Sequence, residues 1–168
     1  RPSVMPDLAA YRSTVHAALA HAHLIKASDE DLEHLAVPGS NALERARHLL
    51  DTNPQAHLLA LTLGANGAWL LHRNGTQCFA QEAQPLPVAD TVGAGDSFLA
   101  GLLAHLLRQS QPAGSFARFV EALSDTACQQ ALRHALASAS LCVMEQGCVP
   151  PGWEAAVDWA HKHPAQTA

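Results

Sequence analysis

The stretch Asp90-Thr91-Val92-Gly93-Ala94-Gly95-Asp96-Ser97-Phe98 is the passage whose residue types point to a reaction. Gly-Ala-Gly runs straight into a helical pattern whose apolar face begins at Phe98. The first amides of a helix have no intrahelical acceptor, and glycine lets an anion approach them closely, so the junction can cradle a phosphate. Asp96 does not suit a simple cradle, because its carboxylate repels the ligand. It does suit phosphoryl transfer. There the amides stabilise charge developing on the transferred group while the carboxylate takes a proton from the attacking hydroxyl. A competing reading is that Asp96 and Ser97 only cap a helix after a glycine turn. The spacing alone leaves both readings open.

The flanking elements read as a layered α/β domain. Pro6 and Asp7 open a helix running from Leu8 to Ala22, and His23-Leu24-Ile25-Lys26-Ala27 is a short strand. Ser28 caps the next helix, with Asp29, Glu30 and Asp31 in its first turn. Pro38-Gly39-Ser40-Asn41 is a loop before an amphipathic helix from Ala42 to Leu50. His57 to Leu63 is almost continuously apolar, like a strand buried on both faces of a parallel sheet. Ala68 to His72 and Thr76 to Ala80 flank Arg73-Asn74-Gly75, a hairpin signal. Helices follow from Gly93, from about Leu123 to Met144, and from Trp153 to Trp159, with Gln109 to Phe116 a loop.

With these residues in place, Asp-Thr-Val-Gly-Ala-Gly-Asp-Ser-Phe resembles, residue for residue, the second signature of the pfkB/ribokinase family of carbohydrate kinases. The resemblance implies the C-terminal portion of a ribokinase-like three-layer α/β/α fold. It implies Asp96 as catalytic base and Gly93, Ala94 and Gly95 as anion hole. Asp90 and Thr91 fall where many members bind a monovalent cation, which makes K⁺ a candidate. Leu61-Thr62-Leu63-Gly64-Ala65-Asn66-Gly67 is similar to the family's nucleotide segment, where Thr62, Gly64 and Gly67 border ATP; a plain tight turn is the alternative. Ile25-Lys26-Ala27-Ser28-Asp29-Glu30-Asp31 resembles a fructokinase segment. Its Ser28 and Asp31 match positions serving the phosphates and, through water, Mg²⁺; a capped helix accounts for them equally well. Arg1-Pro2 resembles the end of a sugar-contacting segment, with Arg1 as substrate contact. Leu136 replaces an Asn that often approaches the nucleotide. Gly147 matches the family's glycine after the long helix.

The resemblance covers nearly the whole chain, so residues 1–168 read as the ATP-binding and catalytic part of one ribokinase-like domain. The family's N-terminal half, with most sugar contacts and the lid, is the missing partner, and the isolated chain is expected to be inactive. The implied reaction is ATP-dependent phosphorylation of a sugar hydroxyl, with fructose first, 2-keto-3-deoxygluconate next and a nucleoside third. A homodimer is a further assembly to consider. A non-catalytic nucleotide-binding module is the rival from another class. A dinucleotide-dependent oxidoreductase fits less well, since Gly93-Ala94-Gly95 is followed by Asp-Ser-Phe.

Composition narrows the partners. Ten basic against fifteen acidic side chains give a net charge of -5, without the basic excess of a nucleic-acid binder. No apolar run reaches the length of a membrane span, and no signal-peptide pattern is visible, which together point to the cytoplasm. Cys78, Cys128, Cys142 and Cys148 form no C-x-x-C pair, so reduced thiols are expected. His21, His23, His161 and His163 read as solvated surface residues rather than metal ligands.

Overall fold

The structure, a computed structural model, describes residues 7–110 and 115–167. Arg1, the candidate sugar contact, lies outside the described residues. The elements are α1 (Leu8–Leu19), β1 (Leu24–Ser28), α2 (Asp29–His34), α3 (Ala42–Thr52), β2 (Leu58–Thr62), β3 (Ala68–His72), β4 (Gln77–Ala80), α4 (Ala94–Ser110), α5 (Phe116–Glu121), α6 (Asp125–Val143) and α7 (Trp153–Lys162). Among these, no helix is long and apolar enough to cross a membrane.

The sheet order is β1-β2-β3-β4. β1 and β2 run parallel, joined by the crossover through α2 and α3, whereas β2–β3 and β3–β4 are antiparallel. The expectation of a parallel sheet around β2 therefore holds on one side only. The turn from Leu63 to Gly67 is too short for a parallel return, which needs about a dozen residues or more. The apolar run of β2 has its cause in burial on both faces. Leu58 and Ala60 join Leu70, Cys78 and Ala80 against Phe98, Leu102, Val120 and Leu132 of the helices on one side. Leu59 and Leu61 join Ile25 and Ala27 against Leu32, Ala46 and Leu49 on the other. Helices on both faces make three layers, the ribokinase-like arrangement that the sequence implied.

One helix was not expected. α5 falls at the end of the stretch that reads as a loop, and α4 itself continues to Ser110. Six residues are too few for a helix to persist on propensity; Phe116 and Phe119 pack on the core and Val120 is buried in it.

α4 and α6 lie unusually close. A Cβ at Gly101 would meet Ser138 Oγ at 2.3 Å, so any side chain there would push the helices apart. Ser97 Oγ donates to the carbonyl of Ser138 at 2.9 Å, across the same contact. These two links fix the start of α4 relative to α6.

Farther along this contact the interior holds polar groups. His134 is 5% exposed, and its ring lies 4.1 Å from that of Trp153 and 5.5 Å from that of His105. Neither ring nitrogen of His105 has a hydrogen-bond partner among the described residues. Burial, then the nearby His105 and Arg108, lowers the His134 pKa to about 4, and burial lowers that of His105. The unfolded chain, with an ordinary histidine near 6.5, binds protons that the folded chain refuses. Stability is thus full above pH 6.5 and is lost as pH falls toward 4. Between pH 7 and pH 5 the His134 contribution is of order 2 kcal/mol, so urea unfolding at the two pH values should differ by about that amount. His134→Phe should remove most of the difference, and an unchanged difference in the variant would refute the assignment.

Candidate functional site

The loop before α4 is tied to the end of α6. Ala89 N and Asp90 N both donate to the carbonyl of Val143, at 2.8 and 3.2 Å. The Asp90 carboxylate accepts from Val92 N through Oδ1 at 3.0 Å and from Gly147 N through Oδ2 at 3.1 Å. Gly93 then turns with φ +81°, a conformation that favours glycine, and α4 begins at Ala94.

At this start Ala94 N donates to Thr91 O and Ser97 N to Gly93 O. The amides of Gly95 and Asp96 have no acceptor among the described residues. They are the free donors that an anion-binding helix start requires, and the helix dipole adds roughly half a positive charge there. Asp96 is exposed in the first turn of α4 and makes no hydrogen bond or ion pair among the described residues. Ser97 is buried and bonded to Ser138. The capping reading of Asp96 and Ser97 therefore finds no support in the geometry. The carboxylate is free to take a proton.

A cation completes the turn. A Cβ at Gly95 would lie 3.0 Å from Lys26 Nζ, so the ammonium sits against Gly95 in the first turn of α4. Lys26 forms no ion pair among the described residues. Sequence reasoning placed Lys26 in a strand but gave it no role. The signal was there in the alternation: Ile25 and Ala27 are buried on the α2–α3 side, which turns Lys26 to the opposite face, where α4 lies. Among the described residues no cluster of three or more metal-ligating side chains occurs.

The other candidate residues are less open. Ser28 and Thr62 are register partners at the C-terminal ends of β1 and β2, the sheet edge where α/β folds bind ligands. Ser28 Oγ, however, accepts from Asp31 N at 3.1 Å while Asp31 Oδ2 accepts from Ser28 N at 2.9 Å. This reciprocal capping box already occupies both side chains. Gly64, with φ +57°, has open space where a Cβ would be. Gly67 does not, since a Cβ there would lie 2.5 Å from Ala80 O. Its glycine is explained by packing on β4. Thr91 is exposed beside Asp90. Leu136 packs against the core, away from any polar role.

The sequence pattern described as pfkB family carbohydrate kinase matches residues 1–156. A fructokinase of Salmonella thompson is 33% identical over 112 residues, 67% of this chain and 49% of that protein. The fold superimposes on a fructokinase of Xylella fastidiosa with bound ATP at a TM-score of 0.79, with 24% identity, over 96% of this chain and 49% of that one. A double mutant of the fructokinase of Vibrio cholerae O395, with fructose, ADP and potassium ion bound, gives 0.68 and 26% identity over 88% of this chain and 43% of that one. The chain spans about half the length of these relatives, or less.

The geometry makes a direct prediction for Lys26. A charge-assisted contact to phosphate is worth about 1.5–3 kcal/mol, so Lys26→Met should weaken pyrophosphate binding by roughly ten- to a hundredfold. Isothermal calorimetry on the two proteins measures this, and equal affinities would show that Lys26 does not face the anion.

Proposed function

The chain belongs to the pfkB family of carbohydrate kinases, and from that premise we propose that it supplies the ATP site and catalytic base of a fructokinase-like sugar kinase. The observation that carries this reading is the start of α4: two free amides, the Lys26 ammonium against Gly95, and an unpartnered carboxylate in the same turn. The sugar contacts and the covering lid would come from kinase residues outside this chain. Fructose is the preferred acceptor, on the segment around Lys26 and Ser28 and on the fructokinases among its relatives.

In this mechanism the γ-phosphate rests on the amides of Gly95 and Asp96, with Lys26 countering its charge. The sugar hydroxyl oxygen bonds to phosphorus as its proton passes to the Asp96 carboxylate, and the bond to the ADP oxygen breaks. Mg²⁺ would supply further neutralisation of the phosphate charge; Asp31, with one carboxylate oxygen unpartnered among the described residues, would hold it through water. Thr62 and Gly64 would border the nucleotide along the strand ends. Gly67 would shape that turn from behind. The reading also places the enzyme in the cytoplasm, where ATP and reduced thiols coincide, which cell fractionation checks.

A monovalent cation at Asp90 and Thr91 belongs to the same proposal. The Asp90 carboxylate is engaged with two amides, yet each oxygen keeps a lone pair. The intact kinase should run faster in K⁺ than in tetramethylammonium at equal ionic strength, and identical rates would remove the cation from this loop.

The base is the sharper test. Asp96→Asn in the intact kinase keeps size and shape but cannot take the proton. The expected result is a kcat loss of about 10²–10⁴-fold, with ATP affinity equal or slightly better because a negative charge beside the γ-phosphate is gone. A variant with wild-type kcat would defeat the base assignment and leave nucleotide binding as the chain's role.

A further inference from the structure

Two cysteines flank the peptide unit that opens the glycine turn. Cys142, in the last turn of α6 and 1% exposed, directs its thiol to the carbonyl of Val92, with Sγ 3.9 Å from the oxygen. Cys148 is exposed and packs on Gly93 itself: a Cβ there would lie 2.1 Å from Cys148 Sγ and 2.9 Å from its Cβ. The Val92 carbonyl and the Gly93 α-carbon belong to one peptide plane. Both thiols therefore bear on the same few atoms, directly ahead of the free amides.

Between the two cysteines runs the segment that anchors the loop. It contributes the Val143 carbonyl, which accepts from Ala89 and Asp90, and the Gly147 amide held by Asp90. Gly147 itself, at φ +81°, has open space where a Cβ would be, so nothing packs against that face of the turn.

We propose that Cys142 and Cys148 are a redox pair whose disulfide disables anion binding at Gly93–Gly95. The proposal rests on the reading of that turn as a phosphate site. The oxidant is a peroxide. The accessible Cys148 thiolate attacks hydrogen peroxide, and with one proton taken up gives a sulfenic acid and water. The Cys142 thiol then displaces the hydroxyl group as a second water, leaving the disulfide. Two thiols are oxidised and one peroxide is reduced to two waters. The two thiols are not bonded to each other here, so closing the disulfide, with its sulfurs about 2.05 Å apart, moves at least one of them relative to the Val92–Gly93 peptide. Where Cys148 moves, Gly93 loses the surface on which it is packed, and the shift reaches Asp90 through the Gly147 amide. The other two cysteines are poorly placed to compete. Cys78 and Cys128 are buried, and burial raises both thiol pKa values, that of Cys128 to about 12.

The test uses the whole chain, treated with hydrogen peroxide, alkylated and mapped by mass spectrometry, with pyrophosphate as the binding probe. The expected map joins the Cys142 and Cys148 peptides and leaves Cys78 and Cys128 free. Pyrophosphate affinity should fall by at least about tenfold on oxidation and return with dithiothreitol. Cys148→Ser should bind the probe and resist peroxide. A link between Cys78 and Cys128, no link, or a mapped 142–148 link with undiminished affinity each overturns the proposal. If reduced protein fails to bind pyrophosphate while the link still forms, the phosphate-site reading falls and the pairing stands, so the two failures are told apart.

Discussion

The carbonyl of Val143 takes two hydrogen bonds, from Ala89 N and Asp90 N, and the position of the glycine turn depends on this fork. The last carbonyls of a helix lack intrahelical donors, so α6 ends needing partners that the loop before α4 supplies. The Asp90 carboxylate returns the favour by accepting from Gly147 beyond the helix end. Ser97 and Gly101 then lock α4 against α6, through a hydrogen bond to Ser138 and a contact too tight for any Cβ. A candidate anion site built from backbone amides has no side chains to adjust. Its geometry is only as good as the placement of the helix that carries it, and here that placement is set from both sides.

Much of this was legible in the sequence because it is written in local residue types. The hairpin turn at Arg73-Asn74-Gly75, the Ser28 cap and the start of α4 after Gly93 each follow from the conformations those residues prefer. The antiparallel pairing of β2 with β3 was not legible, because an apolar run reports burial on both faces and not strand direction. α5 was hidden for a related reason: its helix is held by Phe116, Phe119 and Val120 reaching the core, and tertiary packing leaves little trace in so short a segment. The buried His134 and the half-buried His105 also escaped notice. A histidine in a helical pattern carries no mark that distinguishes an interior ring from the solvated ones, and His21, His23, His161 and His163 are indeed exposed.

The motif residues separate by what else occupies them. Ser28 and Asp31 cap each other's backbone, and Gly67 yields to the close approach of Ala80. In each case a local structural demand accounts for the residue type. Asp96 differs. It occupies a helix's first turn, where a carboxylate commonly finds a backbone donor, and it has none among the described residues. A residue type that the local structure does not use is the stronger pointer to chemistry, and spacing alone could not make that distinction.

Net charge of -5 does not bar a polyphosphate from this turn. At physiological salt the screening length is about 8 Å, so carboxylates elsewhere on the surface contribute little. Within that radius the balance is local. Asp96 opposes the ligand, and Lys26 opposes Asp96 with a charge of equal size pressed against Gly95. With the two offset, the free amides of Gly95 and Asp96 and the positive end of the α4 dipole tip the turn toward anions. On the proposed reading of Asp96 as a base, the lysine that β1 brings to the same turn offsets the carboxylate's charge toward an anion. Lys26 reaches the turn from a strand distant in sequence, which is why the glycine signature alone could not disclose it.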